Sequence, residues 1–104
     1  MKGRYVILPA ADRDIDGQAL YYADEAGIET AIRFLDAVQQ TCETLVAHPR
    51  MGWPCRLRHP ELATARVFRV LEFDKTLVFY RPAKDRLEVL HILHGSQNLE
   101  ALFG

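Results

Sequence analysis

Arg66, Arg69, Arg81 and Arg86, with Tyr80, His91 and His94, are the residues of this chain whose types could do chemistry. A guanidinium grips a phosphate through two parallel hydrogen bonds, and an imidazole moves protons near neutral pH. Gathered on one face of a sheet, such a set could cleave RNA by activating a ribose 2′-hydroxyl. For a nuclease the candidate catalytic residues are Arg69, Tyr80, Arg81 and His91. Spacing argues against an acid–base pair, because His91 and His94 are an odd number of residues apart and a regular strand sends them to opposite faces. The plainer alternative has Arg69 stacked on Tyr80 as a surface cross-strand pair and His94 bonded to backbone at a turn. The sequence has no phosphate-cradling glycine loop, no His-Glu-x-x-His, no Gly-x-Ser-x-Gly and no Cys-x-x-Cys, so no metal or other cofactor is expected.

The elements that must position these side chains run from Arg66 to Gly95. Arg66–Phe73 and Thr76–Arg81 are dense in Val, Phe, Leu and Tyr and read as strands joined by a tight turn at Asp74-Lys75. Pro82–Asp85 is the next turn, and Arg86–His94 the third strand. Its run Val89-Leu90-His91-Ile92-Leu93 is apolar on both faces, which predicts a central position. Pairing Phe73 with Thr76 sets Arg69 opposite Tyr80 on an outward face, with Phe68, Val70, Leu77 and Phe79 on the core face. A slip of one residue would reverse that assignment.

Upstream, Gly3–Leu8 reads as a short strand ended by Pro9. Ala10–Ala26 carries Ala11, Ile15, Ala19, Tyr22, Ala23 and Ala26 at helical spacing, with Leu20 and Tyr21 off that stripe. Gly27 stops this helix. Ile28–Ala47 is the clearest helix, its stripe being Ile28, Ala31, Ile32, Leu35, Val38, Cys42, Leu45 and Val46. A one-residue link at Gly27 makes the two helices an antiparallel hairpin laid on a sheet, with Leu35, Val38, Phe68, Val70 and Phe79 in the core. Arg50–Ala65 reads as an irregular surface loop whose Trp53 closes the core or anchors a partner. Ser96–Phe103 is long enough for one or two helical turns, with Ser96 as N-cap and Leu99, Leu102 and Phe103 on one side.

The fold class is therefore α+β: an N-terminal strand, a two-helix hairpin, a mainly antiparallel sheet whose last three strands form a meander, and a short C-terminal tail. Residues 1–104 read as a single domain. Hydrophobic residues at 49% and charged ones at 26% are ordinary for a globular protein, and no apolar run approaches the ~20 residues of a membrane span. A cytoplasmic location is expected, with Cys42 and Cys55 as reduced thiols and Cys42 inert in the core. Net charge is −1 but unevenly spread, since acids crowd the stretch from Ala10 to Ala47 and arginines the stretch from Arg50 to Arg86. The second stretch suits an anionic partner or is simply solvated surface.

The ordered set of motifs resembles the RelE/ParE superfamily of bacterial toxins. Ala11, Asp14, Ile15, Ala19 and Tyr22 resemble its first helix, and Ala31, Phe34 and Leu35 its second. Pro49-Arg50-Met51-Gly52 is similar to its Pro-x-x-Gly loop and Val78-Phe79-Tyr80-Arg81 to its apolar-apolar-Tyr-Arg strand. Leu90 to Gly95 followed by Asn98, where the family often has Asp, resembles its closing strand and His-Gly motif.

The resemblance implies the toxin of a type II toxin–antitoxin pair, of the kind that stabilises plasmids, neutralised in a hetero-oligomer by a small ParD-like antitoxin. The His-Gly ending and two uninterrupted helices look closer to the ParE-like branch, which blocks DNA gyrase. Scarce lysine and the slightly negative net charge fit poorly with docking on ribosomal RNA. Target contacts are then expected at Arg69, Arg81, His91, His94, Asn98 and Phe103, and antitoxin contacts at Tyr21, Arg33, Trp53 and Arg58. Two alternatives stay open: a RelE-like ribosome-dependent messenger endoribonuclease, and a non-toxic relative that only binds antitoxin.

Overall fold

The computed structural model describes residues 4–57 and 59–95. Its elements are β1 (Tyr5–Ile7), α1 (Pro9–Ala26), α2 (Ile28–Ala47), β2 (Trp53–Pro54), β3 (Arg66–Val70), β4 (Phe73–Pro82) and β5 (Leu87–His94), with a short 3-10 turn at Pro60–Leu62. The expected N-cap Ser96 and the apolar side of the tail, Leu99, Leu102 and Phe103, lie outside the described residues.

Pro9 begins α1, where its missing N–H would have had no helical partner. The hairpin turns at Gly27, whose φ of 97° is costly for a residue with a Cβ. The sheet order is β1-β5-β4-β3-β2, with β1 parallel to β5 and every other pair antiparallel. β5 is thus flanked by β1 and β4 rather than placed at the edge, as its two-sided apolar run predicts, and β4 holds the middle of the sheet. β2 was not foreseen, being two residues long and containing a proline.

The β3–β4 hairpin corrects the expected register. Its turn is Leu71-Glu72, not Asp74-Lys75: Val70 pairs with Phe73, and Glu72 takes a φ of 66°. A glycine or asparagine there would have signalled this turn, and glutamate does not. The turn is held from outside, since the Leu71 amide donates to the Thr41 hydroxyl on α2 at 2.9 Å. A bulge between Arg69 and Val70 then shifts the pairing, so that Arg66 faces Tyr80 and Arg69 faces Leu77. Relative to the expected pairing this is an odd slip of three residues, which exchanges faces.

Phe68, Val70, Val78 and Tyr80 accordingly pack toward α1 and α2 with Phe34, Val38, Cys42 and Leu45. Leu77 and Phe79 lie on the opposite face with Val67, Leu90 and Leu93. Phe79 is still core, because Cys55, Leu57, Leu62 and Ala65 from the irregular segment cover that face. Leu35 is the other correction: it is 42% exposed, while Val38 is buried. The buried stripe of α2 centres on Phe34, Val38, Thr41 and Leu45. Ile28, Ile32 and Leu35 sit roughly 100° around the helix from it.

Beyond Val89, β5 has no strand neighbour on its β1 side among the described residues. α1 closes that edge with side chains one turn apart. The Ile92 amide donates to Asp14 Oδ2 at 3.0 Å, and the Gln18 amide donates to the Ile92 carbonyl at 2.6 Å. An exposed edge would otherwise invite pairing with another chain. Among the described residues no helix is long and apolar enough to cross a membrane.

Candidate functional site

Tyr80, expected on the outer surface, is fully buried. Its hydroxyl accepts the Gly52 N–H at 2.9 Å and donates to the Pro49 carbonyl at 2.8 Å. Arg66 completes the clamp, its Nε donating to the Gly52 carbonyl at 3.0 Å and its Nη2 to that of Arg50 at 3.2 Å. The Pro-x-x-Gly loop is thus fastened to the sheet through its backbone. Glycine is required at 52 because a Cβ there would stand 2.6 Å from both the Tyr80 hydroxyl and the Val67 carbonyl. Burial pushes the Tyr80 phenol above its ordinary value, with the Gly52 amide and Arg66 opposing in part. A buried, raised phenol that already spends both hydrogen-bonding roles has a structural task.

Arg69 does not stack on Tyr80. Its guanidinium lies 5.1 Å from the ring centroid of Trp53, which is itself 6.5 Å from that of Phe68. Both Arg69 and Trp53 remain exposed, so the sheet edge offers a cation held over an aromatic face. Arg81 is committed elsewhere. It grips Glu88 Oε1 at 2.6 Å while Arg86 grips Oε2 at 2.8 Å. Arg81 first, and then Arg86, hold the Glu88 carboxyl below the usual carboxylate range.

His91 stands 3.2 Å from Asp14 Oδ2, the atom that also receives the Ile92 amide. The register sets His91 beside Phe79 and His94 beside Thr76, on opposite faces as their spacing requires. His94 lines a cleft of about 620 Å³ between α1 and β5, with Arg13, Gln18, Tyr21 and Tyr22. The four candidate nuclease residues are therefore dispersed: Tyr80 at the loop, Arg69 over Trp53, Arg81 on Glu88 and His91 on Asp14. Among the described residues no group of three or more His, Cys, Asp or Glu gathers where a metal would sit.

Of the expected antitoxin contacts, Tyr21 and Arg33 are exposed on the helix hairpin and Trp53 on the sheet edge. Arg58, Asn98 and Phe103 lie outside the described residues. The sequence reading missed the breadth of the hairpin's apolar surface. Leu20, Ile28 and Ile32 are 68%, 65% and 51% exposed, joining Tyr21 and Leu35. Antiparallel crossing at Gly27 sets the level of Leu20 and Tyr21 beside that of Ile32 and Leu35, as the 5.1 Å Tyr22–Phe34 ring contact marks. The available signal was Leu20 and Tyr21 lying off the α1 stripe, which implies a second apolar face.

The family described as the ParE toxin of the type II toxin–antitoxin system parDE matches residues 5–99. Toxin ParE1 of Caulobacter vibrioides is 29% identical over 100 residues, 96% of this chain and 97% of that protein. A solved chain of the chromosomal ParDE toxin–antitoxin system from P. aeruginosa superposes with a TM-score of 0.74, over 89% of this chain and 96% of its own, at 16% identity. That last likeness concerns the fold alone.

Proposed function

This chain belongs to the ParE toxin family of type II toxin–antitoxin systems, and from that premise we propose that it acts by binding DNA gyrase and is silenced by a small antitoxin. The observation that carries the binding reading is the dispersal of Arg69, Tyr80, Arg81 and His91 into four separate structural contacts. A nuclease brings its phosphate grip and its proton carriers to one reacting atom. A binding protein needs only exposed anchors, and Arg69 over Trp53 is one of the type that dominates interfaces.

The antitoxin's place in this reading is the apolar surface of the hairpin, Leu20, Tyr21, Ile28, Ile32 and Leu35, flanked by Arg33. An amphipathic segment that orders on binding finds apolar anchors there at helical spacing. Asn98 and Phe103 stay candidates for the target contact.

The experiment is a pair of assays on the purified chain. Supercoiling by purified gyrase should be inhibited while ribosome-bound messenger RNA stays intact. Arg69→Ala should raise the inhibitory concentration by roughly 5–150-fold, the loss of about 1–3 kcal/mol typical of a truncated interface anchor. Cleavage of the message with gyrase unaffected would replace this reading with the ribonuclease.

A further inference from the structure

The start of β1, the end of α2, the end of β4 and the start of β5 meet at one pole of the molecule. Two clefts of about 1030 Å³ and 220 Å³ open there, with Pro49 and Pro82 lining both. Arg50 and Arg66 line the larger, and Arg4, Lys84 and Arg86 the smaller. Asp85 is the only acid among the described residues of either lining, and the nearby Glu88 is already shared by Arg81 and Arg86. Arg4, Arg50 and Lys84 are exposed, and among the described residues they make no ion pair. Asp24, Glu25 and Glu29 gather instead at the hairpin tip, a helix length of about 30 Å away. A net charge of −1 therefore conceals a polarised molecule with one cationic end.

We propose that this pole binds the phosphate backbone of duplex DNA. The cations come from separate segments of the chain and stand around two open depressions, an arrangement suited to a rigid row of phosphates rather than to one small anion. Single-stranded nucleic acid is held by stacking successive bases on aromatic rings, whereas no Phe, Tyr or Trp lines either cleft and the His48 imidazole is the one aromatic ring among the described residues there. A disordered acidic peptide uses apolar anchors as well as charge, yet among the described residues Met51 is the only large exposed apolar side chain here. The carbonyls at the end of α2 add some negative potential that the arginines must exceed. What the pole offers is sequence-independent attraction for phosphate, which positions a protein on a duplex without reading its bases. Such a contact stands apart from the gyrase contact and is tested without gyrase.

The test is fluorescence anisotropy of the full chain with a labelled duplex of arbitrary sequence. Three phosphate contacts, from Arg4, Arg50 and Lys84, predict a slope of log K on log salt near −2.7, hence a ~40-fold loss of affinity between roughly 50 and 200 mM salt. Arg50 and Lys84 have exposed side chains outside the clamp, so Arg50→Glu with Lys84→Glu should leave the melting temperature unchanged. That double variant should cut affinity at low salt by at least about 10-fold and reduce the slope to roughly a third. Arg13→Glu, one such charge reversal beside the other end of β5, should leave binding unaltered. Absence of binding at low salt, equal loss in Arg13→Glu, or tighter binding of polyglutamate or single strands than of duplex would overturn the proposal.

Discussion

The Tyr80 hydroxyl and the Gly52 backbone are mutually exclusive with any larger residue at 52: they stand 2.9 Å apart, and an added Cβ would lie 2.6 Å from that hydroxyl. The Pro-x-x-Gly loop and the tyrosine of β4 thus form one contact between segments separated by 28 residues. Tyr80→Phe leaves the buried Gly52 amide without its acceptor, a loss of about 1–3 kcal/mol. Gly52→Ala should cost more, because the Val67 carbonyl is backbone and cannot step aside. Thermal melts check both, at about 4–8 °C per kcal/mol for a domain of this size. An unchanged melting temperature in Tyr80→Phe would show that the clamp carries no stability.

Leu35 and Val38 are three residues apart on α2 and should respond oppositely to charge. Leu35→Asp is expected to fold with a near-normal melting temperature and to bind antitoxin at least 10-fold more weakly, the scale of a lost interface anchor. Val38→Asp places a carboxylate against Phe34 and the sheet and should cost several kcal/mol or prevent folding. Soluble yield and calorimetry with the purified antitoxin distinguish the two. Loss of folding in Leu35→Asp would return that residue to the core.

Burial, and secondarily Glu43, pushes the Cys42 thiol up to about 12. Cys55 is only half-buried. At about pH 8 a chromogenic disulfide should therefore titrate one thiol quickly and the other only as the chain unfolds. Relative to a free thiol of pKa near 8.5, the thiolate fraction of Cys42 is lower by roughly 10³. Cys55→Ser should abolish the fast phase, and two fast thiols in the folded protein would contradict the burial of Cys42.

Glu88 sets an acid limb on stability. Arg81 and Arg86 depress its folded-state pKa below the ordinary 4.5, so the unfolded chain takes up the proton first. The stability it adds is present above that value and is lost as pH falls through the folded pKa. Glu88→Gln should melt below the parent at neutral pH, and the two melting curves should converge on acidification below 4.5. Parallel curves across that range would mean that Glu88 carries no pH-dependent stability.

Both helices and the interior placement of β5 were legible because periodicity is a local property. The spacing of Ala31, Phe34, Val38 and Leu45 is a helix whatever it packs on, and Gly27 ends one helix and begins the next within a single residue. The apolar run from Val89 to Leu93 demanded cover on both faces, and two core clusters supply it. The ordered motifs likewise point to the toxin superfamily without reference to any tertiary contact. Their residues turn out to be fastenings: Tyr80 and Gly52 lock a loop, and Asp14 closes the edge of β5.

What the amino-acid order determined, then, is which segments are helix and strand, their succession, and through that succession the family. Tertiary contact decided which face each side chain occupies. The hairpin register rests on a bulge between Arg69 and Val70, next to a turn whose Leu71 amide is received by Thr41 of α2, and no pattern within β3 and β4 marks either. An odd register slip reverses every side chain of a strand, so that bulge moves Tyr80 from candidate catalyst to core. The same holds for Leu35. An apolar residue at helical spacing is compatible with either side of the helix, and only the position of the sheet beneath α2 decides that Val38 is covered and Leu35 is left exposed.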